Sequence, residues 1–111
     1  MTFVTVFRRV PPPVIGMIGV LPERTFAAFE KDLDWLETTG VLVERFEPDD
    51  PLAPASPREA ARRILEKEGE GCLPLVLVDG VPVSQGVHPT RSRLARLVGR
   101  GRQEWRPAPA A

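Results

Sequence analysis

The spacing of hydrophobic residues changes along the chain, and each change predicts a different element. Residues 2–7, TFVTVF, have almost no polar face, which suits a central strand that is covered on both sides. A helix is then predicted to begin with Pro22 as its first residue and to end at Gly40. Its apolar positions are three or four residues apart, at Phe26, Phe29, Leu33 and Leu36. Residues 41–46, VLVERF, predict a second strand.

The second half of the chain predicts a helix, a hairpin and a final helix. The motif SPRE (56–59) offers a serine N-cap, a proline at the first helical position and a capping-box glutamate. This helix is predicted to end at Gly69. Residues 73–86, LPLVLVDGVPVSQG, predict two strands joined by a two-residue turn at Asp79-Gly80. Residues 90–99, TRSRLARLVG, predict a short helix.

The resulting element order is β-α-β-α-β-β-α. The first two strands are joined by a helical crossover and should be parallel, whereas a two-residue turn makes the last two antiparallel. A four-stranded mixed sheet with helices on both faces is the thioredoxin-like α/β arrangement. Residues 1–99 are predicted to form this domain, and residues 100–111, which lack periodicity, a disordered tail rich in Arg, Pro and Ala.

Composition and charge exclude several classes of protein. The 111 residues fit one domain, and fifteen acidic residues balance fifteen basic ones, so no global field points to nucleic acid or membrane. With one cysteine, the chain can form neither an internal disulfide nor a thiolate cluster. No apolar run approaches the roughly 20 residues of a membrane helix, and the N-terminus reverses the charge order of a signal peptide. A cytoplasmic protein without a membrane contact is predicted.

Three segments resemble the arsenical-resistance operon protein ArsD family. They are TVF (5–7), DLDWLETTGVLVERF (32–46) and LPLVLVDGVPVSQGVHPTRSRLARLVG (73–99), and the likeness extends from about Thr5 to Gly99. The resemblance implies a trans-acting repressor and arsenic metallochaperone with a thioredoxin-like fold. In such folds a cis proline opens the third strand, so the Leu73-Pro74 bond is expected to be cis.

The loop after the first strand departs from that family. The resemblance implies an adjacent cysteine pair and a third cysteine there, which together bind trivalent arsenic or antimony through soft thiolates. The corresponding positions here are Pro12, Pro13 and Ile18, none of which can ligate a metalloid. The family's Asp-Pro after the first strand is replaced by Arg8-Arg9. We therefore expect no metal site, no cofactor and no metallochaperone role.

No pair of groups suited to nucleophilic or acid–base chemistry is evident, so an enzyme is not predicted. A thioredoxin-type oxidoreductase would need at least one cysteine in the first loop. Cys72 is interpreted as a small buried residue, with redox sensing or an intermolecular disulfide as the alternative. His88 is interpreted as a turn residue rather than a base or ligand. Trp35 packs beside the apolar stripe of its helix or else faces a partner.

Two functional hypotheses remain. In the first, the protein is an interaction module that keeps a docking surface for a P-loop ATPase of the arsenical-pump type. The loop after the first strand holds the apolar residues Val10, Val14, Ile15, Met17 and Ile18, and an exposed cluster of that size is larger than a soluble monomer usually leaves uncovered. The C-terminal tail or a second copy in a homodimer could equally cover it. The predicted partner-binding residues are Arg8, Arg9, Val10, Val14, Ile15, Met17, Ile18 and Pro74.

The second hypothesis is a DNA-binding repressor that arsenic no longer induces. Residues 91–111 carry six arginines and one glutamate, a stretch that could contact phosphates or an acidic protein surface. No helix-turn-helix pattern supports this, and the same arginines could simply solubilise the tail or interact with a helix dipole. The candidate contacts are Arg91, Arg93, Arg96, Arg100 and Arg102.

Overall fold

The computed structural model describes residues 2–17 and 19–105, with the side chains of 100–105 excepted. It contains six strands, three α-helices and a short 3-10 helix at Glu70–Cys72. The strands are β1 (Phe3–Phe7), β2 (Val14–Gly16), β3 (Gly19–Leu21), β4 (Leu42–Phe46), β5 (Leu75–Val78) and β6 (Val81–Gln85). The helices are α1 (Arg24–Thr38), α2 (Ala55–Glu68) and α3 (Arg91–Trp105).

Four of the strands form the mixed sheet that the sequence predicts, in the order β4-β1-β5-β6. The β1 strand pairs in parallel with β4 and antiparallel with β5, and β5 pairs antiparallel with β6. The turn between β5 and β6 places Asp79 at φ 50° and Gly80 at φ 84°. Two successive left-handed residues match the twist of a two-residue hairpin, so the predicted turn is confirmed.

Each face of the sheet buries its own set of apolar residues, because side chains alternate along β1. Val4 and Val6 pack on the face that α1 and α3 cover, and Phe7 packs on the face that α2 covers. The first cluster is completed mainly by Phe29, Leu33, Leu36, Leu94 and Val98, and the second by Ala53, Ala61, Leu75 and Leu77. The thioredoxin-like prediction of helices on both faces is therefore confirmed.

The start of α1 differs from the prediction. The helix begins at Arg24, so Pro22 is not its first residue. Glu23 is the N-cap, and its carboxylate accepts hydrogen bonds from the backbone N–H groups of Thr25 at 3.0 Å and Phe26 at 2.7 Å. At the other end Gly40 follows the C-cap with φ 95°, a left-handed conformation that favours glycine.

The start of α2 also differs, because Ser56 is not the N-cap. The helix begins at Ala55, since the Pro54 carbonyl already accepts a hydrogen bond from the Arg58 N–H at 3.0 Å. Pro57 then falls in the first turn, where backbone N–H groups have no helical acceptor and a proline is tolerated. Gly69 ends the helix as predicted, with φ 75°.

Two further segments are more ordered than predicted. The segment 8–21, which carries no predicted element, contains the two-stranded hairpin β2–β3. The final helix continues to Trp105, six residues beyond its predicted end at residue 99. Residues 106–111 lie outside the described residues, and the division of the chain into a domain and a tail stays a prediction. Across the described part of the chain, no helix is both long and apolar enough to cross a membrane.

Candidate interaction site

The β2–β3 hairpin forms a small sheet of its own, apart from the four-stranded sheet. Its register pairs Val14 with Leu21, Ile15 with Val20 and Gly16 with Gly19. Since cross-strand partners share a face, Val14 and Leu21 lie on one side of the hairpin, and Ile15 and Val20 lie on the other. The second side is the more exposed, with Ile15 at 84% of its full accessibility.

The hairpin and its approach expose an uncharged apolar surface. No charged residue occurs between positions 10 and 22. Isolated exposed apolar residues are ordinary, but so many in one short uncharged segment are typical of a contact surface. We call this set the hairpin surface: Val10, Val14, Ile15, Met17, Val20 and Leu21. Ile18, which the sequence assigned to the same surface, lies outside the described residues.

A cleft of about 330 Å³ lies at the base of the hairpin. It brings together Arg8, Arg9 and Pro74, three of the residues predicted to contact a partner. The Leu73-Pro74 bond is cis, as the resemblance implied, and Pro74 is buried at the cleft wall. The complete lining is Arg8, Arg9, Pro11, Glu23, Phe26, Glu70, Leu73, Pro74 and His88.

Arg8 is not a free surface cation. Its Nη2 donates to Glu30 Oε1 at 2.8 Å, and its guanidinium carbon lies 5.6 Å from the centre of the Phe26 ring. Its Nε is buried and has no hydrogen-bond acceptor among the described residues. Glu30 also accepts from Arg45 Nε at 3.1 Å, so one carboxylate links β1, α1 and β4. Arg8 therefore fastens the end of β1 to α1.

Arg9 is more exposed and binds two acidic residues. Its guanidinium contacts Glu70 at 3.0 Å and Asp49 at 3.1 Å. The hydrogen bond to Glu70 is the main cause that raises the pKa of Arg9. The positive charges of Arg8 and Arg9, which replace the family's Asp-Pro, are therefore paired with acidic residues of the same chain. The base of the hairpin carries little uncompensated charge.

Cys72 is buried in the short 3-10 helix, as the structural interpretation predicts. Burial raises the pKa of its thiol, which disfavours the thiolate needed for nucleophilic attack or metal binding. Among the residues that the structure describes, no three His, Cys, Asp or Glu side chains are grouped so that they could hold a metal ion.

The remaining aromatic and imidazole candidates pack within the chain. His88 meets the Phe29 ring edge-to-face with centres 5.3 Å apart, and it also lines the cleft. Trp35 is half-buried against the core, and the Arg91 guanidinium lies 5.0 Å from its ring centre. Arg91 Nε also donates to Asp32 at 3.1 Å. These contacts join α1 to α3.

The other arginines of α3 are placed differently. Arg93 and Arg96 are exposed. Arg100 and Arg102 belong to the same helix, but their side chains lie outside the described part of the chain. Of the five candidate nucleic-acid contacts, Arg91 is therefore engaged in contacts within the chain, and two others are displayed on the helix surface.

Several site residues have no counterpart in the sequence prediction. Val20 and Leu21 complete the hairpin surface, and Glu23, Phe26 and Glu70 line the cleft. The segment VIGMIGVL places a glycine on each side of a two-residue turn between β-branched residues, a pattern that indicates a hairpin. The cleft residues are far apart in the sequence, and no local pattern links them.

The sheet order, the helices on both faces and the cleft beside a cis proline define a thioredoxin-like protein. The family model described as "Arsenical resistance operon protein ArsD" matches residues 1–110. The chain belongs to this family.

Two Escherichia coli proteins, each described as "Arsenical resistance operon trans-acting repressor ArsD", are similar in sequence. One is 34% identical over 100 residues, covering 89% of this chain and 82% of the relative. The other is 33% identical over 84 residues, covering 76% of this chain and 70% of the relative. The crystal structure of an arsenical resistance operon trans-acting repressor from Bacteroides vulgatus ATCC 8482 matches with a TM-score of 0.60 at 22% identity, covering 88% and 91% of the two chains. This structural likeness concerns the fold.

Proposed function

We propose that this protein is a protein-interaction module of an arsenical-resistance system, which binds its partner through the hairpin surface and carries no metalloid in a thiolate site. The observation that carries the proposal is the exposed, uncharged β2–β3 hairpin beside the cleft. Membership of the ArsD family and the names of the two relatives support a regulatory role in arsenical resistance.

The thiol chemistry of the chain supports the loss of metalloid binding. Trivalent arsenic is held tightly by several thiolates acting as a chelate, and this chain has one cysteine. That cysteine is buried, and burial raises the pKa of its thiol. Pro12 and Pro13 stand where the family resemblance implies ligands, and neither side chain offers an electron-pair donor. We infer a binding protein rather than an enzyme.

The partner that this surface fits best is a P-loop ATPase of the arsenical-pump type, as the family resemblance implies. An apolar contact would gain its free energy from burying side chains that are now in water, at roughly 25 cal/mol per Å². Ile15 and Met17 are the most exposed of these side chains, so we expect them to form the centre of the contact. Arg9, which is more exposed than Arg8, would lie at the rim of the contact with its charge already paired to Glu70 and Asp49.

Direct binding to a purified arsenical-pump-type ATPase, measured by calorimetry, tests this function. Ile15→Asp places a carboxylate in the proposed contact and should weaken binding at least tenfold. Leu52→Asp is the matched control, because Leu52 is 83% exposed in the loop before α2 against 84% for Ile15. Unchanged affinity for the Ile15 variant, or no binding by the natural chain, would contradict the proposal.

A second candidate is a DNA-binding repressor that arsenic no longer induces. Two observations favour it: the relatives are named trans-acting repressors, and Arg93 and Arg96 are exposed on α3. The double variant Arg93→Glu/Arg96→Glu should abolish salt-dependent binding to the protein's own promoter DNA. The double variant Arg24→Glu/Arg63→Glu, at exposed positions on α1 and α2, makes the same change in net charge and is the control. Promoter binding that survives the α3 double variant would count against this candidate.

A further inference from the structure

The acidic side chains that line the cleft already have their hydrogen bonds within the chain. Each carboxylate oxygen of Glu23 accepts from a backbone N–H at the start of α1. Both oxygens of Glu70 accept from the Arg9 guanidinium, at 3.0 and 3.5 Å, and the remaining nitrogen of Arg9 donates to Asp49. These three cleft residues therefore satisfy their charges without a ligand.

The other two basic side chains of the cleft have hydrogen-bond donors to spare. A guanidinium has five N–H groups, and among the described residues those of Arg8 meet a single acceptor, Glu30. The buried Nε of Arg8 is one of the unpaired donors, and a buried donor without an acceptor costs free energy that a ligand oxygen could recover. The exposed imidazole of His88 packs on Phe29 but makes no hydrogen bond in the same part of the chain. The cleft thus offers donors to an anion.

The walls and the size of the cleft restrict which anion fits. Its remaining lining is apolar and consists of Pro11, Phe26, Leu73 and Pro74. Its volume of about 330 Å³ lies at the lower end of the roughly 300–1,000 Å³ of ligand pockets, which suits a single side chain. Because Glu23 and Glu70 stand in the same cleft, a single negative charge is repelled less than a doubly charged phosphate. A carboxylate on a short apolar stem meets all three conditions.

We propose that the cleft is a carboxylate-binding site, and that it takes an acidic side chain of the partner protein. The inference rests on the proposed function, because the partner is the protein that covers the hairpin surface. Val10 of that surface stands between Arg9 and Pro11 in the chain, and both of these line the cleft. A partner that contacts Val10 is therefore adjacent to the cleft. Hydrogen bonds from a guanidinium to a carboxylate are stronger than those between neutral groups.

Two small probes of the same shape test the role of the charge. N-acetylglutamate N-methylamide carries the carboxylate, and N-acetylglutamine N-methylamide is its uncharged counterpart. In NMR titrations of the full chain, the glutamate probe at about millimolar concentration should shift the Arg8 Nε–H and His88 ring signals until they saturate. The glutamine probe should shift them roughly fivefold less. Equal shifts from both probes, no shift from either, or a larger saturable shift from inorganic phosphate would overturn the proposal.

Two variants remove the donors and keep the packing. His88→Phe keeps an aromatic ring against Phe29 and removes both ring nitrogens. Arg8→Lys keeps a cation for Glu30 and removes Nε. Each variant should keep the circular dichroism spectrum of the natural chain. Each should bind the glutamate probe and the purified ATPase roughly fivefold more weakly, because a charge-assisted hydrogen bond is lost.

The matched controls make the same kinds of change at positions that do not line the cleft. Leu52→Phe adds a phenyl ring at an exposed loop position, and Arg62→Lys changes an ion-paired arginine of α2. Both controls should bind the probe and the ATPase as the natural chain does. Losses of equal size in the cleft variants and in their controls would overturn the proposal.

Competition separates this inference from the proposed function. At saturating concentration the glutamate probe should weaken ATPase binding in calorimetry, and the glutamine probe should not. ATPase binding that depends on Ile15 but on neither Arg8 nor His88 leaves the function standing and overturns the inference. A chain that never binds the ATPase yet binds the glutamate probe overturns the function and supports the carboxylate site alone.

Discussion

Gly86 and Gly71 approach each other so closely that only one of them could be replaced. A Cβ atom on Gly86 would lie 2.7 Å from the carbonyl oxygen of Gly71, whereas a Cβ on Gly71 would meet nothing within 4 Å. Gly86 also has φ 76°, and its N–H donates to the carbonyl oxygen of Cys72 at 2.8 Å. This contact joins the segment after β6 to the 3-10 helix at Glu70–Cys72, which comes just before Leu73 and Pro74 of the cleft.

The first prediction follows from this asymmetry. Gly86→Ala should lower the free energy of unfolding by at least about 1 kcal/mol, because the new methyl group clashes with backbone and the left-handed conformation is strained. Gly71→Ala should leave stability nearly unchanged. Urea denaturation of the two variants measures the difference in stability. Equal midpoints would contradict the close approach of Gly86 to the Gly71 carbonyl oxygen.

The second prediction concerns Glu30, which neutralises Arg8 and Arg45 together. Glu30→Gln keeps the shape of the side chain but removes the charge that both largely buried guanidinium groups share. We expect a loss of about 1 to 2 kcal/mol in the free energy of unfolding, between the values for exposed and buried ion pairs. Asp34→Asn is the control, because Asp34 also binds Arg45 but its side chain is largely exposed. Similar losses in both variants would refute the special role of Glu30.

The third prediction concerns Thr5, whose side chain is fully buried in β1. Its hydroxyl has no hydrogen-bond partner among the described residues, and an unpaired buried hydroxyl costs free energy. Thr5→Val replaces it with a methyl group of similar size and should stabilise the protein by about 1 kcal/mol. A rise of roughly 4 to 8 °C in Tm would follow for a domain of this size. Thr5→Ser, which keeps the hydroxyl and loses a methyl group, should lower Tm instead.

The fourth prediction is a pH dependence at the start of α1. The hydrogen bonds that Glu23 accepts from the backbone N–H groups of Phe26 and Thr25 lower the pKa of its carboxyl from the ordinary value of 4.5. A carboxyl with a lowered folded-state pKa stabilises the fold above its unfolded pKa, and this contribution disappears as pH falls through the folded pKa. Glu23→Ala should therefore lower Tm at pH 7, and the gap to the natural chain should shrink steadily below pH 4.5. A difference in Tm between the two proteins that does not change with pH would contradict the capping role of the Glu23 carboxylate.

Much of the fold could be predicted because its signals are local. The all-apolar run of β1 and the Asp79-Gly80 turn each specify their structure within a few residues. The start of α1 differs from the prediction because the long side chain of Glu23 folds back to cap the helix, whereas a proline such as Pro22 is typical of a first helical residue. The β2 and β3 strands have three residues each, too few for an alternating pattern, so only the turn flanked by Gly16 and Gly19 indicates the hairpin in the sequence.

The site could be predicted less well than the fold. The exposed apolar residues near Ile15 follow from composition alone, since a run without charges stands in a surface loop. The burial and ion pairing of Arg8 cannot be predicted from the sequence. Its partner Glu30 is 22 positions away, and the ion pair exists only once α1 packs on the sheet. The sequence therefore suggests two exposed cations where the structure has one largely buried arginine and one exposed arginine, both ion-paired.

The last prediction concerns the metalloid site that the resemblance implies. The natural chain should bind arsenite no more tightly than its Cys72→Ala variant does, because one buried thiol of raised pKa cannot chelate the ion. The triple variant Pro12→Cys/Pro13→Cys/Ile18→Cys should bind arsenite, since three thiols then lie within seven residues of one segment, two of them in the loop before the hairpin. Calorimetric titration under reducing conditions measures all three proteins. A control with a single added thiol, Pro12→Cys alone, should bind weakly, because the chelate formed by three nearby thiols holds the ion. Tight binding by the natural chain would contradict the proposed loss of metalloid binding.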